Sequence, residues 1–281
     1  MDKGKENMVE ISDVDLALRE EARYLGQQLF GNKSQKSTDF TDRLLDVSTR
    51  AQGKDFLLVH NSGGWGSAGM DHCLQWERSL VTGVSATIEK LGYTSLLIHY
   101  LRTGRGWREK IRDVKEQFQF FAFKARLMAA ELRFLTRHNN SLKVLLIGVS
   151  QGAAFSNAVM RDLTDLGPVY SIELGMPFNP RSRRLVTEKA LALDSNGLMP
   201  DATVQGNLAG ALQAYFVGPF KWLMYQLQRR PVRFAQCINA PGHDYDWGHP
   251  EVRQQIEDFL KLNFGTKSNV EVVSHEAREI H

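Results

Sequence analysis

The sequence predicts an α/β protein, with a mostly parallel central sheet and helices on both of its faces. Three observations predict it. Short aliphatic runs such as Phe56-Leu57-Leu58-Val59, Leu96-Leu97-Ile98 and Val144-Leu145-Leu146-Ile147 read as strands buried on both faces. Longer segments with an apolar residue every three or four positions read as amphipathic helices. The two kinds of segment alternate along the chain, which argues for βαβ units.

Taken in order, residues 12 to 30 form a helix whose apolar face carries Val14, Leu16, Leu18, Leu25 and Leu29. Residues 31 to 52 are polar and hold one short strand around Leu44 to Val47. The first clear strand runs from Asp55 to His60, followed by the Gly-rich loop Asn61-Ser62-Gly63-Gly64-Trp65-Gly66. A helix from about Cys73 to Leu91 stops at Gly92, and Thr94 to Tyr100 is a second strand. A loop from Arg102 to Trp107 leads into a long helix, about Glu109 to His138. Its apolar stripe is Ile111, Val114, Phe118, Phe121, Ala125, Met128, Leu132 and Leu135. The third strand ends at Val149, and Ala153 to Asp165 follows as a helix free of Gly and Pro. Pro168 to Leu174, Lys189 to Leu193 and Val232 to Asn239 are further strands, and Val252 to Phe264 is a last helix begun by Pro250 in its first turn. An apolar helical insert near residues 203–230, split by Gly218-Pro219, interrupts the alternation. The expected organisation is a leading segment at 1–54, a core at 55–264 that includes this insert, and a polar tail at 265–281.

Composition narrows the class. The 281 residues carry a formal net charge of only +3, which gives no case for a nucleic-acid partner. Two cysteines, Cys73 and Cys237, lie far apart and suggest neither a disulfide framework nor a metal cluster. The charged start Met1-Asp2-Lys3-Gly4-Lys5-Glu6 lacks the apolar region of a secretory signal, and no stretch approaches the ~20 apolar residues that span a bilayer. A soluble, cytoplasmic protein is expected. Oligomeric state is left open.

The segment that carries chemistry is Gly148-Val149-Ser150-Gln151-Gly152, set between a buried strand and a helix. A serine at such a strand-to-helix turn exposes its hydroxyl above the sheet, and the flanking glycines let two backbone segments approach closely. Ser150 is therefore the candidate nucleophile. A serine needs a base, an acid that orients the base, and donors for an oxyanion. The candidate base is His243, in the Pro241-Gly242-His243 turn after the sixth strand; His249, directly before Pro250, is the rival and fits a helix cap better. The candidate acid is Asp201, which a short Asn-Gly loop could swing toward the histidine, with Asp194 as second choice. Asp244 and Asp246 adjoin the histidine but would need a contorted loop to reach its far nitrogen. Candidate oxyanion donors are the amides of Gln151 and of Ser62, with Gly63 behind Ser62. Trp65, Phe216 and Phe220 are candidate pocket residues for an apolar part of a substrate, although such aromatics also suit a core. Arg102, Arg105, Arg108, Lys110 and Arg112 read first as a solvated loop and helix start, and second as a site for an acidic group.

On these residues, from Asp55 to Phe264, the chain resembles the α/β-hydrolase superfamily. The match rests on Gly148 to Gly152, on His60-Asn61-Ser62-Gly63-Gly64, on Pro241-Gly242-His243, and on the order Ser150, Asp201, His243. The resemblance implies an eight-stranded, mostly parallel sheet, so weak strands should hide in residues 31 to 52. It implies acyl transfer through a covalent intermediate on Ser150, with no metal or cofactor, on a small ester or thioester. Lipase-like, peptidase and acyltransferase activities use the same parts, and a hydrolase-fold receptor or scaffold with little turnover is the alternative from another class. The chain departs from the resemblance in two ways: Asn61 stands where His-Gly is common, and the insert follows the presumed acid strand.

Overall fold

The aliphatic runs become β1 (Phe56–Asn61), β2 (Ser95–His99), β3 (Lys143–Val149), β4 (Val169–Leu174) and β5 (Ala190–Leu193). The computed structural model describes residues 13–32, 34–64, 73–102, 121–163, 165, 167–177, 184–204, 224, 227–228 and 241–267. Within them the strands form one all-parallel sheet in the order β2-β1-β3-β4-β5.

Successive side chains of a strand point to opposite faces, and each face has its own core. Leu57, Val59, Val144, Leu146 and Val169 pack with α1 (Asp13–Phe30), α2 (Gln35–Arg50), α4 (Ala122–His138) and α5 (Gln151–Asp162). Phe56, Leu58, Leu145, Ile147, Ile172 and Leu174 pack with α3 (Gln75–Lys90) and α6 (Pro250–Phe264). Burial on both faces is what their unbroken apolar character predicts.

The topology fixes where chemistry can occur. From the β1–β3 boundary the chain winds outward in both directions, to β2 on one side and to β4 and β5 on the other. Connections leave that boundary on opposite faces and open a crevice at the carboxyl ends of the two strands. The register places Asn61 opposite Gly148 there, with Val149 opposite Leu174 and Leu174 opposite Leu193. The ends of four strands therefore meet at one edge.

Two sequence expectations are corrected. No strand lies at Leu44 to Val47; both residues belong to α2, which buries Phe40, Leu44 and Val47 on one side. Their spacing of four and three is helical, and Ser34 caps the helix by accepting from the Ser37 amide at 3.1 Å. The helix expected from Glu109 to His138 is not continuous. Phe121 has φ 55 in the left-handed region, and α4 starts at the next residue. A side chain buried at 2% exposure holds this conformation, with its ring edge-on to Phe155 at 5.6 Å.

The strand expected at Val232 to Asn239 and nearly all of the insert near 203–230 lie outside the described residues. At the start of the expected tail, Lys267 is docked: its amide donates to the Leu91 carbonyl and its Nζ to Asp55 at 2.8 Å. No helix among the described residues is long and apolar enough to cross a membrane.

Candidate active site

β3 ends at Val149 and α5 begins at Gln151, so Ser150 alone makes the turn between them. Its backbone sits at φ 54, ψ −120, a conformation that L residues rarely adopt. The turn is closed from three sides. The Ser150 amide donates to the Leu174 carbonyl at 2.8 Å. A Cβ on Gly148 would stand 2.7 Å from the Gly152 carbonyl and the Ala153 Cα. A Cβ on Gly152 would overlap the Asn61 carbonyl, so only glycine lets β1's end approach α5 this closely.

Asp201 and His243 meet beside this turn. His243 Nδ1 lies 2.6 Å from Asp201 Oδ2. The expected loop does the positioning. Ser195 bridges Pro200, Asn196 Oδ1 accepts from the Leu198 and Met199 amides, and Gly197 takes φ 83. The Asp201 amide then donates to the Asp194 carbonyl, and the Ala202 amide to Pro241 in the histidine turn. Gly175 leaves room for the pair: a Cβ there would stand 2.5 Å from Asp201 Oδ2 and 2.7 Å from His243 Cε1. Since Gly175 directly follows Leu174, which holds the Ser150 amide, the serine turn and the histidine flank the same strand end.

The Asp201 carboxylate is wholly buried yet fully engaged. Oδ1 accepts from the Thr203 amide at 2.8 Å and hydroxyl at 2.7 Å; Oδ2 accepts from the Tyr245 hydroxyl at 2.7 Å. Burial alone would raise its pKa. The hydrogen bond and charge of His243, with the Tyr245 and Thr203 hydroxyls, outweigh burial and hold it below its ordinary value. Burial and the Asp201 carboxylate together push the Tyr245 hydroxyl far up, so it stays a donor. The His243 side chain keeps 15% exposure while Asp201 has none. The carboxylate is sealed in while part of the imidazole stays open, with the Trp76 ring edge-on to it at 6.3 Å.

The rival residues have other partners. Asp194 is 44% exposed and takes both oxygens to Arg184 Nη1, at 2.9 and 2.7 Å. His249 is the N-cap residue of α6 and stands 3.7 Å from Asp244. Asp244 also accepts from Asn196 Nδ2 at 2.6 Å, and Asp246 accepts from the Gly248 amide at 2.7 Å.

At the end of β1, the chain passes from Asn61 into Ser62 and Gly63, which lies close to Ser150: a Cβ on Gly63 would be 3.7 Å from the serine Cβ. The Gly63 amide donates to Glu77 Oε1 at 3.2 Å. The same oxygen lies 2.9 Å from His60 Nε2, and His60 Nδ1 lies 2.9 Å from His99 Nδ1. Arg102 is not the solvated loop residue that its charge suggests. It is 4% exposed, donates through Nη2 to the Ser62 and Gly64 carbonyls at 2.9 Å each, and lies over the Phe121 and Phe155 rings.

Sequence reasoning passed over Tyr245, Thr203 and Glu77. Tyr245 and Thr203 each lie two residues from a singled-out residue, a weak signal; Glu77 offered none, and Arg102 was singled out for a solvated loop or an acidic group, not for the two loop carbonyls it holds. Trp65, Phe216 and Phe220, with Arg105, Arg108, Lys110 and Arg112, lie outside the described residues.

The all-parallel sheet, the crevice at the β1–β3 boundary and the strand–Ser150–helix turn together make this an α/β-hydrolase fold. No family model and no curated protein sequence matches the chain. A solved structure to which it is similar is a Trichoderma reesei cutinase in complex with a phosphonate inhibitor. That likeness has 10% sequence identity, covers 90% of this chain and 95% of the cutinase chain, and has a TM-score of 0.44.

Proposed function

We propose that this chain is a serine hydrolase that cleaves a carboxylic ester or thioester through an acyl-enzyme on Ser150. The observation that carries the proposal is the 2.6 Å contact of His243 Nδ1 with a buried, hydrogen-bonded Asp201, beside a serine at φ 54 on a strand-to-helix turn. A sealed carboxylate, a partly open imidazole and a strained serine at one sheet edge are the parts that nucleophilic serine chemistry needs.

In this mechanism Asp201 accepts the Nδ1 proton of His243 in a hydrogen bond, which leaves Nε2 as the base. Nε2 takes the Ser150 proton as Oγ attacks the substrate carbonyl. The oxyanion is held by the Gln151 amide, one of the orphan donors in the first turn of α5, and by the Ser62 amide. The imidazolium returns its proton to the leaving alcohol or thiol. Water then attacks the acyl-enzyme with the same base and releases the acid. Asp201 stays ionised throughout, because its four hydrogen-bond contacts all favour the charged form. The substrate is a small molecule, with an apolar part if the aromatics at 65, 216 and 220 line its pocket.

Turnover of short-chain p-nitrophenyl esters, lost in Ser150→Ala, tests the proposal. So does labelling of Ser150 by a fluorophosphonate. The absence of both turnover and labelling in the wild-type protein would overturn it and leave a hydrolase fold serving as a receptor or scaffold.

A further inference from the structure

The loop after β1 is gripped from two directions at one peptide group. The Ser62 carbonyl accepts from Arg102 Nη2 at 2.9 Å, and the amide of the same peptide, on Gly63, donates to Glu77 Oε1 at 3.2 Å. A second Arg102 contact, to the Gly64 carbonyl, ties the loop down again two residues further on. Both gripping side chains are themselves fixed. Glu77 is 4% exposed on the first turn of α3 and is held by His60, which His99 backs from β2. Arg102 is clamped between the loop carbonyls and two aromatic rings. On the other side, the Asn61 carbonyl abuts Gly152.

A short glycine-rich loop has many conformations, and ordering it costs backbone entropy. Nothing in Ser62-Gly63-Gly64 itself selects one of them, because two of the three residues are glycine. The selection comes from outside the loop, from α3 and from the end of β2. The consequence concerns which amide faces the reacting carbonyl. The Gly63 amide is committed to a carboxylate, which leaves Ser62 as the loop's donor beside Gln151.

We infer that Glu77 and Arg102 are positioning residues of the oxyanion loop: they lock the Ser62–Gly63 peptide at both ends and thereby set the Ser62 amide against the substrate carbonyl. The inference rests on the acyl-transfer function proposed above. It adds a prediction that this function does not make, since a serine hydrolase needs no carboxylate on its oxyanion loop.

The experiment is steady-state ester hydrolysis by wild type, Glu77→Ala, Glu77→Gln and Arg102→Lys, with hydrogen exchange of the Gly63 amide read by NMR in each. Glu77→Ala is expected to lower kcat by about 100-fold at nearly unchanged KM, since a donor displaced by about an ångström is lost mainly in the transition state. Glu77→Gln keeps an oxygen that accepts from Gly63 and should recover kcat to within about three-fold of wild type. Arg102→Lys spans only one of the two carbonyls and should lose about ten-fold in kcat. Gly63 amide protection should be present in wild type and Glu77→Gln and absent in Glu77→Ala. A folded Glu77→Ala or Arg102→Lys with wild-type kcat overturns the inference. So does a Glu77→Gln as slow as the alanine variant. If Glu77→Ala fails to fold, Glu77→Gln and Arg102→Lys decide. If wild type neither turns over esters nor labels at Ser150, the proposed function fails, and Gly63 protection then decides the lock alone: an unprotected wild-type amide overturns it.

Discussion

The Tyr245 hydroxyl donates to Asp201 Oδ2 at 2.7 Å, the same oxygen that His243 Nδ1 reaches at 2.6 Å. Tyr245 is completely buried, so its hydroxyl has no water to turn to, and its ring is part of the wall between His243 and the α3–α6 core. Tyr245→Phe keeps that wall and removes one donor from the carboxylate. Stability should fall by about 1.5–3 kcal/mol, the scale of a hydrogen bond to a charged group. The pH dependence should also move. A carboxyl whose folded pKa lies below its ordinary 3.8 stabilises the fold above that pH, and the contribution is lost as pH falls through the folded value. Losing the tyrosine raises the folded value toward the ordinary one, so the acid limb of a urea-midpoint profile should shift to higher pH. An unshifted limb would mean that Tyr245 contributes only packing.

Asp201→Asn and Asp194→Asn separate the two carboxylates. Asparagine at 201 preserves shape but favours the wrong imidazole tautomer, with an expected loss of about 10⁴-fold in kcat. Asp194 holds Arg184 at a half-exposed site, where an ion pair is worth about 0–1 kcal/mol. Asp194→Asn should therefore leave kcat within about three-fold of wild type. Comparable losses in both variants would return the acid assignment to an open choice.

What was legible in the sequence is what is local. The strand–Gly-x-Ser-x-Gly–helix pattern is written within a dozen residues, and the Asn196-Gly197 turn that carries Asp201 to His243 is written within eight. Two local signals misled. Leu44 to Val47 is too short a run for periodicity to separate strand from helix, and the decisive partner, Phe40, lies outside it. At Phe121 an apolar stripe continues through a left-handed residue, because burial against Phe155 rather than a glycine sets the backbone. Arg102 and Glu77 were opaque for a different reason. Arg102 contacts Ser62 across 40 residues and Glu77 contacts Gly63 across 14, and only the register of β1 with β2 and the packing of α3 create those meetings.

Glu173 predicts an inverted pH dependence of stability. It lies wholly buried in β4, accepts from Asn157 Nδ2 and from Ser171 Oγ at 3.0 Å, and has Arg184 Nε only at 3.7 Å, with Asp194 beyond it. Burial wins over these hydrogen bonds and over Arg184, and lifts its pKa from 4.5 to about 7. Between those values the folded state holds a proton that the unfolded state has released, so this group makes the fold less stable as pH rises through the window. Glutamine forms similar hydrogen bonds without ionising. Glu173→Gln should thus be near wild-type stability at about pH 4.5 and more stable at about pH 8, by roughly 1–3 kcal/mol. Urea midpoints at the two pH values provide the check, and a variant advantage that does not grow with pH would rule the burial argument out.

Ser150 itself should show the cost of its conformation. A non-glycine residue at φ 54, ψ −120 stores on the order of 1–3 kcal/mol, which the close packing of Gly148, Gly152 and the Leu174 carbonyl maintains. Ser150→Ala removes the hydroxyl and keeps the strain; Ser150→Gly removes both. Glycine gives back part of the gain through the larger entropy of its unfolded chain, roughly 0.5–1 kcal/mol. The net expectation is that Ser150→Gly unfolds at a higher temperature than Ser150→Ala, by an amount equivalent to about 1 kcal/mol, while both lack esterase activity. Differential scanning calorimetry of the pair makes the comparison. Equal melting temperatures would mean that the turn is not strained in solution, and would remove the backbone argument from the case for Ser150 while leaving its hydroxyl chemistry to the activity assay.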